Sequence, residues 1–113
     1  MNARDSNTSP AADMQLHAAD AAGLMKALGN ESRLMILCLL AEGERSVSDL
    51  NSIVPLSQSA LSQQLARLRQ QDLVKTRRES QTIFYSLNEG PADRVINLLH
   101  DIYCGSADCA TGE

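Results

Sequence analysis

A mainly α-helical domain closed by one β-hairpin is what this sequence predicts, on three observations. Apolar residues recur at helical spacing, as in Met14, Ala18, Ala21, Met25 and Leu28. A short and a longer helical stretch, split by Val54-Pro55-Leu56, form a helix-turn-helix between Ser46 and about Gln71. Two strand-like runs follow, Leu73 to Arg78 and Thr82 to Leu87, joined around Glu79-Ser80-Gln81. Together these make a winged helix-turn-helix, expected to be dimeric.

Each element has a local cause. The start of the chain is polar and reads as a disordered arm over residues 1–12, leaving a folded domain at 13–104 and a flexible tail at 105–113 that contains Cys109. A first helix is expected from Ala11 to Leu28, closed by Gly29 as a C′ residue. Asn30 suits the N-cap of a second helix, about Glu31 to Ala41. Leu34 to Leu40 is apolar all round, so this helix should be the most buried. Ser46 caps the short helix, with Asp49 in its first turn, and Pro55 breaks it. Ser57 caps the longer helix. Leu61, Leu65 and Leu68 form its inward stripe, and Ser59, Ser62, Gln63, Ala66 and Gln70 fall opposite. Pro91 opens a last helix to about Tyr103, with Val95, Leu98, Leu99, Ile102 and Tyr103 on one stripe. The first and last helices carry more apolar face than a small core needs, which predicts a two-fold homodimer.

Charge points to the partner. The net charge is −4, yet residues 57–87 carry +3 between flanks of −3 and −4. The positive charge is thus segregated onto the segment that resembles a DNA reader. Ser57, Gln58, Ser59, Ser62 and Gln63 are expected at base edges in a major groove of double-stranded DNA. Arg67, Arg77, Arg78 and Gln81 are expected on the backbone or in an adjacent minor groove. A dimer of such readers predicts an inverted-repeat operator. A non-DNA-binding adaptor is the competing reading, and the basic hairpin argues against it. No glycine-rich phosphate loop, telling carboxylate pair or nucleophile–base set suggests an enzyme, and no cofactor is expected. The longest apolar run, Leu34 to Ala41, is too short for a membrane span, and the N-terminus lacks a secretory pattern. Both features predict a cytoplasmic protein.

Three stretches resemble the ArsR (arsenic repressor) family of bacterial winged-helix regulators: Leu28-Gly29-Asn30-Glu31-Ser32-Arg33-Leu34-Met35-Ile36-Leu37, Leu56 to Leu65, and Gln81-Thr82-Ile83-Phe84-Tyr85-Ser86-Leu87. The resemblance covers roughly Leu24 to Cys104. Where some members carry a Cys-x-Cys metal pair, Ser46 and Ser48 stand here, and hydroxyls are poor ligands for soft metals. Where others place an acid and several histidines, the last helix has His100 alone, with Asp93 and Asp101 off the required spacing. Cys38 and Cys104 match the thiol positions of a dithiol sub-branch typified by HlyU, BigR and SqrR. The resemblance implies a redox pair that responds to reactive sulfur species or oxidants. Gln64 departs from the histidine often found in that sub-branch.

Read without the resemblance, Cys38 is also a small buried hydrophobe, and Cys109 is incidental. His100 lies one turn before Cys104, so Cys38, Cys104 and His100 form the alternative of a soft-metal sensor. The reduced protein is expected to bind DNA and the bridged protein to release it.

Overall fold

The computed structural model describes residues 10–105. Most of the expected arm, and the tail from Ser106 with Cys109, lie outside the described residues. The elements run α1 (Pro10–Leu28), α2 (Glu31–Glu42), β1 (Arg45–Ser46), α3 (Val47–Ile53), α4 (Gln58–Gln70), β2 (Val74–Glu79), β3 (Thr82–Leu87) and α5 (Pro91–Tyr103). This is the winged helix-turn-helix read from the sequence. α1 starts at Pro10, inside the stretch assigned to the arm, because proline suits a first helical position.

Capping side chains set the helix starts. Asn30 Oδ1 accepts the Arg33 amide at 3.0 Å, Ser46 Oγ accepts the Asp49 amide at 3.1 Å, and Ser57 Oγ accepts the Ala60 amide at 3.0 Å. Gly29 closes α1 without a left-handed backbone. A Cβ there would lie 3.1 Å from the Met25 carbonyl oxygen, so a larger residue would require the backbone to give by a few tenths of an ångström. α4 ends in a Schellman turn. The Leu73 amide donates to the Leu68 carbonyl at 3.0 Å and the Asp72 amide to Arg69 at 3.0 Å, with Asp72 left-handed at φ +60°. That closure uses Leu73, so β2 begins at Val74, one residue later than expected.

The hairpin is tighter than the sequence reading had it. Glu79 pairs with Thr82, leaving Ser80-Gln81 as a two-residue turn with φ +60° at Ser80, the pattern of a type II′ turn. A third strand was not anticipated. β1 is two residues long and pairs antiparallel with β3, Arg45 opposite Tyr85 and Ser46 opposite Phe84, giving the order β1-β3-β2. Ser46 therefore serves as strand residue and helix cap together, which ties the wing to the start of the helix-turn-helix.

Leu61, Leu65 and Leu68 of α4 pack with Ile36, Leu37, Leu40, Leu50, Val54, Val74 and Ile96 in a single aliphatic core. Leu65→Ala should cost about 2–5 kcal/mol, read as a lower denaturant midpoint. α2 is less enclosed than its composition suggested. Met35 is 41% exposed and Glu42 is exposed, and Cys38 on the same side is only half-buried at the edge of the core. α5 reaches the core through Ala92 and Ile96, while most of the stripe read from its sequence faces outward. α1 buries only Ala27 and Leu28. The radius of gyration is 17.1 Å, against about 13 Å for a compact chain near 100 residues, and the molecule extends 55 × 38 × 24 Å. This excess follows from a long helix with little of its own chain to pack against.

Candidate nucleic-acid interface

The chain forms an open groove of about 800 Å³ between the helix-turn-helix and the wing. α3 supplies Val47, Ser48, Asn51 and Ser52, α4 supplies Gln58 and Ser62, and the wing supplies Gln81, Thr82, Ile83 and Tyr85. The lining is rich in hydroxyls and amides and contains no charged side chain. Such groups both donate and accept, which suits base edges.

Gln58, Ser62 and Gln81, three of the residues singled out from the sequence, meet in this groove. Ser57, Ser59 and Gln63 are exposed on the same half of α4, beside the groove lining. The Ser57 hydroxyl oxygen is engaged by its cap, and its proton remains available to donate to a phosphate. Arg67 sits elsewhere. It lies about 13 Å along the α4 axis from Gln58, at 1.5 Å per residue. There it lines a second cleft with Lys26, Ala27, Arg33, Gln70 and Gln71.

The two wing arginines have different surroundings. They are consecutive on β2 and so point to opposite faces. Arg77 makes a two-pronged ion pair with Glu44, at 2.9 Å from Nε and 2.8 Å from Nη2, and a weaker contact of 3.4 Å to Glu79. Its guanidinium also stacks over the Phe84 ring, 4.7 Å from the centroid. The Arg77 hydrogen bond holds the Glu44 carboxyl below its ordinary pKa. Arg78 is exposed, on the face of Ile83, and has no ion pair among the described residues. The sequence reading treated the pair as equivalent. It missed Glu44 because that residue is distant in sequence and becomes a neighbour only through the unanticipated β1.

Cys38 on α2 and Cys104 at the end of α5 form no disulfide and are both half-buried. Their helices pack against each other. Burial pushes the Cys38 thiol above its ordinary pKa, and negative charge at Cys104 and Glu42 pushes it further. The two sulfurs are therefore electrostatic neighbours, though more than sixty residues separate them in sequence. Cys38 is thus not an activated thiolate centre, since its environment favours the neutral form. His100 is exposed, and no set of three or more His, Cys, Asp or Glu side chains gathers among the described residues.

Known proteins share this fold. Residues 30–76 match the family described as bacterial regulatory protein, arsR family, a stretch running from the α2 cap into β2. The transcriptional activator HlyU of Vibrio cholerae is 51% identical over 92 residues, spanning 81% of this chain and 85% of that protein. The chain belongs to the ArsR family. Solved ArsR-family structures agree in shape. Reduced HlyU from Vibrio cholerae superposes with a TM-score of 0.77 at 51% identity, covering 81% of this chain and 97% of that one. The repressor BigR from Xylella fastidiosa gives 0.75 at 43% identity, covering 81% and 94%. These relatives are transcriptional regulators and not enzymes. As an ArsR-family member the chain is a DNA-binding transcription regulator. No helix among the described residues is long and apolar enough to cross a membrane.

Proposed function

We propose that the protein acts as a homodimer on an inverted-repeat operator, as a repressor released when Cys38 and Cys104 become covalently bridged. The observation that carries this reading is the placement of the two thiols. They sit on packed helices, one leading into the helix-turn-helix and the other carrying an exposed apolar stripe. A bridge between them links the dimer face to the reading head, and operator binding is sensitive to the spacing of two such heads.

Dimerisation uses α1 and α5. Met14, Leu16 and Met25 of α1 and Leu98, Ile102 and Tyr103 of α5 are large apolar side chains left open to solvent. A solved relative from Mycobacterium bovis, 30% identical with a TM-score of 0.69 over 86% of this chain and 91% of its own, is described as a homodimeric winged helix-turn-helix DNA-binding domain. Burying such stripes is worth about 25 cal/mol per Å² before ordering costs.

In the duplex, Ser57, Gln58, Ser59, Ser62 and Gln63 face base edges, and Gln81 and Arg78 reach the backbone or the next minor groove. Gln63→Ala is expected to change the sequence selected from a random pool. Arg78→Ala should weaken all duplexes alike and lower the slope of log affinity against log salt by about one unit. Arg77→Ala should lower it less, because Glu44 already offsets that charge at 2.8 Å. Equal slopes for the two variants would show that Arg77 leaves Glu44 when DNA binds.

The deciding experiment pairs intact mass with operator binding after exposure to a persulfide donor, to peroxide and to zinc. Peroxide takes two electrons and two protons from the thiols, forms one S–S bond and leaves as two waters, so the protein loses two hydrogens. A polysulfur bridge adds sulfur mass as well. Release of DNA with zinc alone, and no covalent change, would sink the thiol reading in favour of a metal site at Cys38, Cys104 and His100.

A further inference from the structure

Arg33 occupies the junction of three helices. It lies in the first turn of α2, half-buried, and its side chain leaves that helix altogether. Nε donates to the Ala27 carbonyl at 2.8 Å and Nη2 to the Lys26 carbonyl at 3.1 Å. Nη1 donates to Gln64 Oε1 at 3.1 Å. Its own amide is held by Asn30 at 3.0 Å, which fixes the base of the side chain. Arg33 makes no ion pair among the described residues, so this positive charge is spent wholly on two carbonyls and one amide.

The two carbonyls belong to the last turn of α1, where the helix dipole is negative and i→i+4 partners run out; the Lys26 carbonyl also accepts the Gly29 amide at 3.2 Å. A guanidinium is matched to that end in charge and geometry. Its planar fork also fixes the direction of the remaining prong, which holds Gln64 on α4. Gln64 is half-buried, next to Gln63 on the exposed face and Leu65 in the core. The cleft beside this junction, lined by Lys26, Arg33 and Arg67, sits where α1 and α4 both end. Its cations are accounted for by two helix C-termini, so it needs no anionic ligand.

We propose that Arg33 is a positioning residue that transmits the placement of α1 to α4 through Gln64, so that operator recognition depends on where the long N-terminal helix lies. α1 has few contacts within its own chain, since only Ala27 and Leu28 are buried, and those two residues adjoin the carbonyls Arg33 grips. A shift of α1 moves the guanidinium, and the guanidinium turns α4 about its core stripe. The inference rests on α4 reading the groove, as set out above.

The test uses the full-length protein, a duplex selected from a random pool, and an unrelated duplex of the same length. Gln64→Leu keeps the size of the side chain and removes the acceptor. It should lower affinity for the selected duplex about tenfold, as expected for a lost hydrogen bond to a charged group. Affinity for the unrelated duplex should stay as in the wild type, and the melting temperature should fall by only several degrees, as one lost hydrogen bond in a domain of this size predicts. Arg33→Lys keeps the charge and loses the fork, and should lower selectivity similarly. The double variant should be no worse than the more affected single one. Should Arg33→Lys not fold, Gln64→Glu decides. It retains an acceptor, and its charge weakens both duplexes together, so the selectivity ratio should survive where Gln64→Leu loses it. The proposal is overturned if Gln64→Leu keeps wild-type selectivity, if Gln64→Glu loses as much selectivity as Gln64→Leu, or if the single losses multiply. A wild type that selects no duplex removes the DNA-reading premise itself.

Discussion

Leu98→Glu is expected to give a monomer at micromolar concentration and to lower operator affinity on the order of 10²- to 10⁴-fold, the range by which two linked sites exceed one. Leu98 is 55% exposed on α5, one turn from Ile102. It makes little contribution to the core, so the variant should fold. A carboxylate in the centre of an apolar contact between two chains would have to be desolvated without a partner, at a cost of several kcal/mol. Sedimentation and operator binding read the two halves of the outcome. A dimer that survives Leu98→Glu would place the interface elsewhere, with α1 the remaining candidate. A monomer with undiminished affinity would show that a single reading head suffices.

The second large effect concerns the thiols. Treatment with a persulfide donor should lower wild-type operator affinity by roughly 5- to 150-fold, the usual range of coupling between two sites. Cys38→Ser and Cys104→Ser should each remain on DNA under the same treatment, and Cys109→Ser should respond as the wild type does. The rate should depend on pH in a definite direction. Burial first, then charge at Cys104 and Glu42, raise the Cys38 pKa. Below that raised pKa the reactive thiolate is the minor form, and its fraction grows about tenfold per pH unit. Modification of Cys38 should therefore accelerate steadily from pH 6 to pH 8, without the plateau near neutrality that an acidic, activated thiol would give. Alkylation followed by peptide mass is a direct measure. A rate independent of pH across that range would mean that the thiolate is already favoured, against the environment found for Cys38.

Much of this architecture was legible in the residues because local chemistry dictates it. Asn30, Ser46 and Ser57 are caps whose side chains bond as their residue types suggest. Leu61, Leu65 and Leu68 fall on one stripe and are buried together. What could not be read depends on contacts between distant segments. β1 is too short to have a periodicity, and it exists only because β3 offers it an edge. Glu44 and Arg77 meet across that sheet, thirty-three residues apart. Arg33 lay within a recognisable stretch, but nothing in its neighbours indicates that it grips the preceding helix and α4 at once. Composition also overstated the burial of α2. A helix that is apolar on every side is enclosed only if every side has something to meet, and Met35 does not within one chain.

In the proposed dimer, the sparse packing of α1 would set a threshold on gene dosage. A nineteen-residue helix whose only buried residues are Ala27 and Leu28 has little to keep it wound when copies are few. If two chains pair as proposed, ordering of that helix and pairing become one event, governed by mass action. The unfolding midpoint should climb with protein concentration. Occupancy of the operator should rise more steeply than the number of molecules in the cell, so that a modest fall in synthesis or a modest rise in degradation silences the regulator without any inducer.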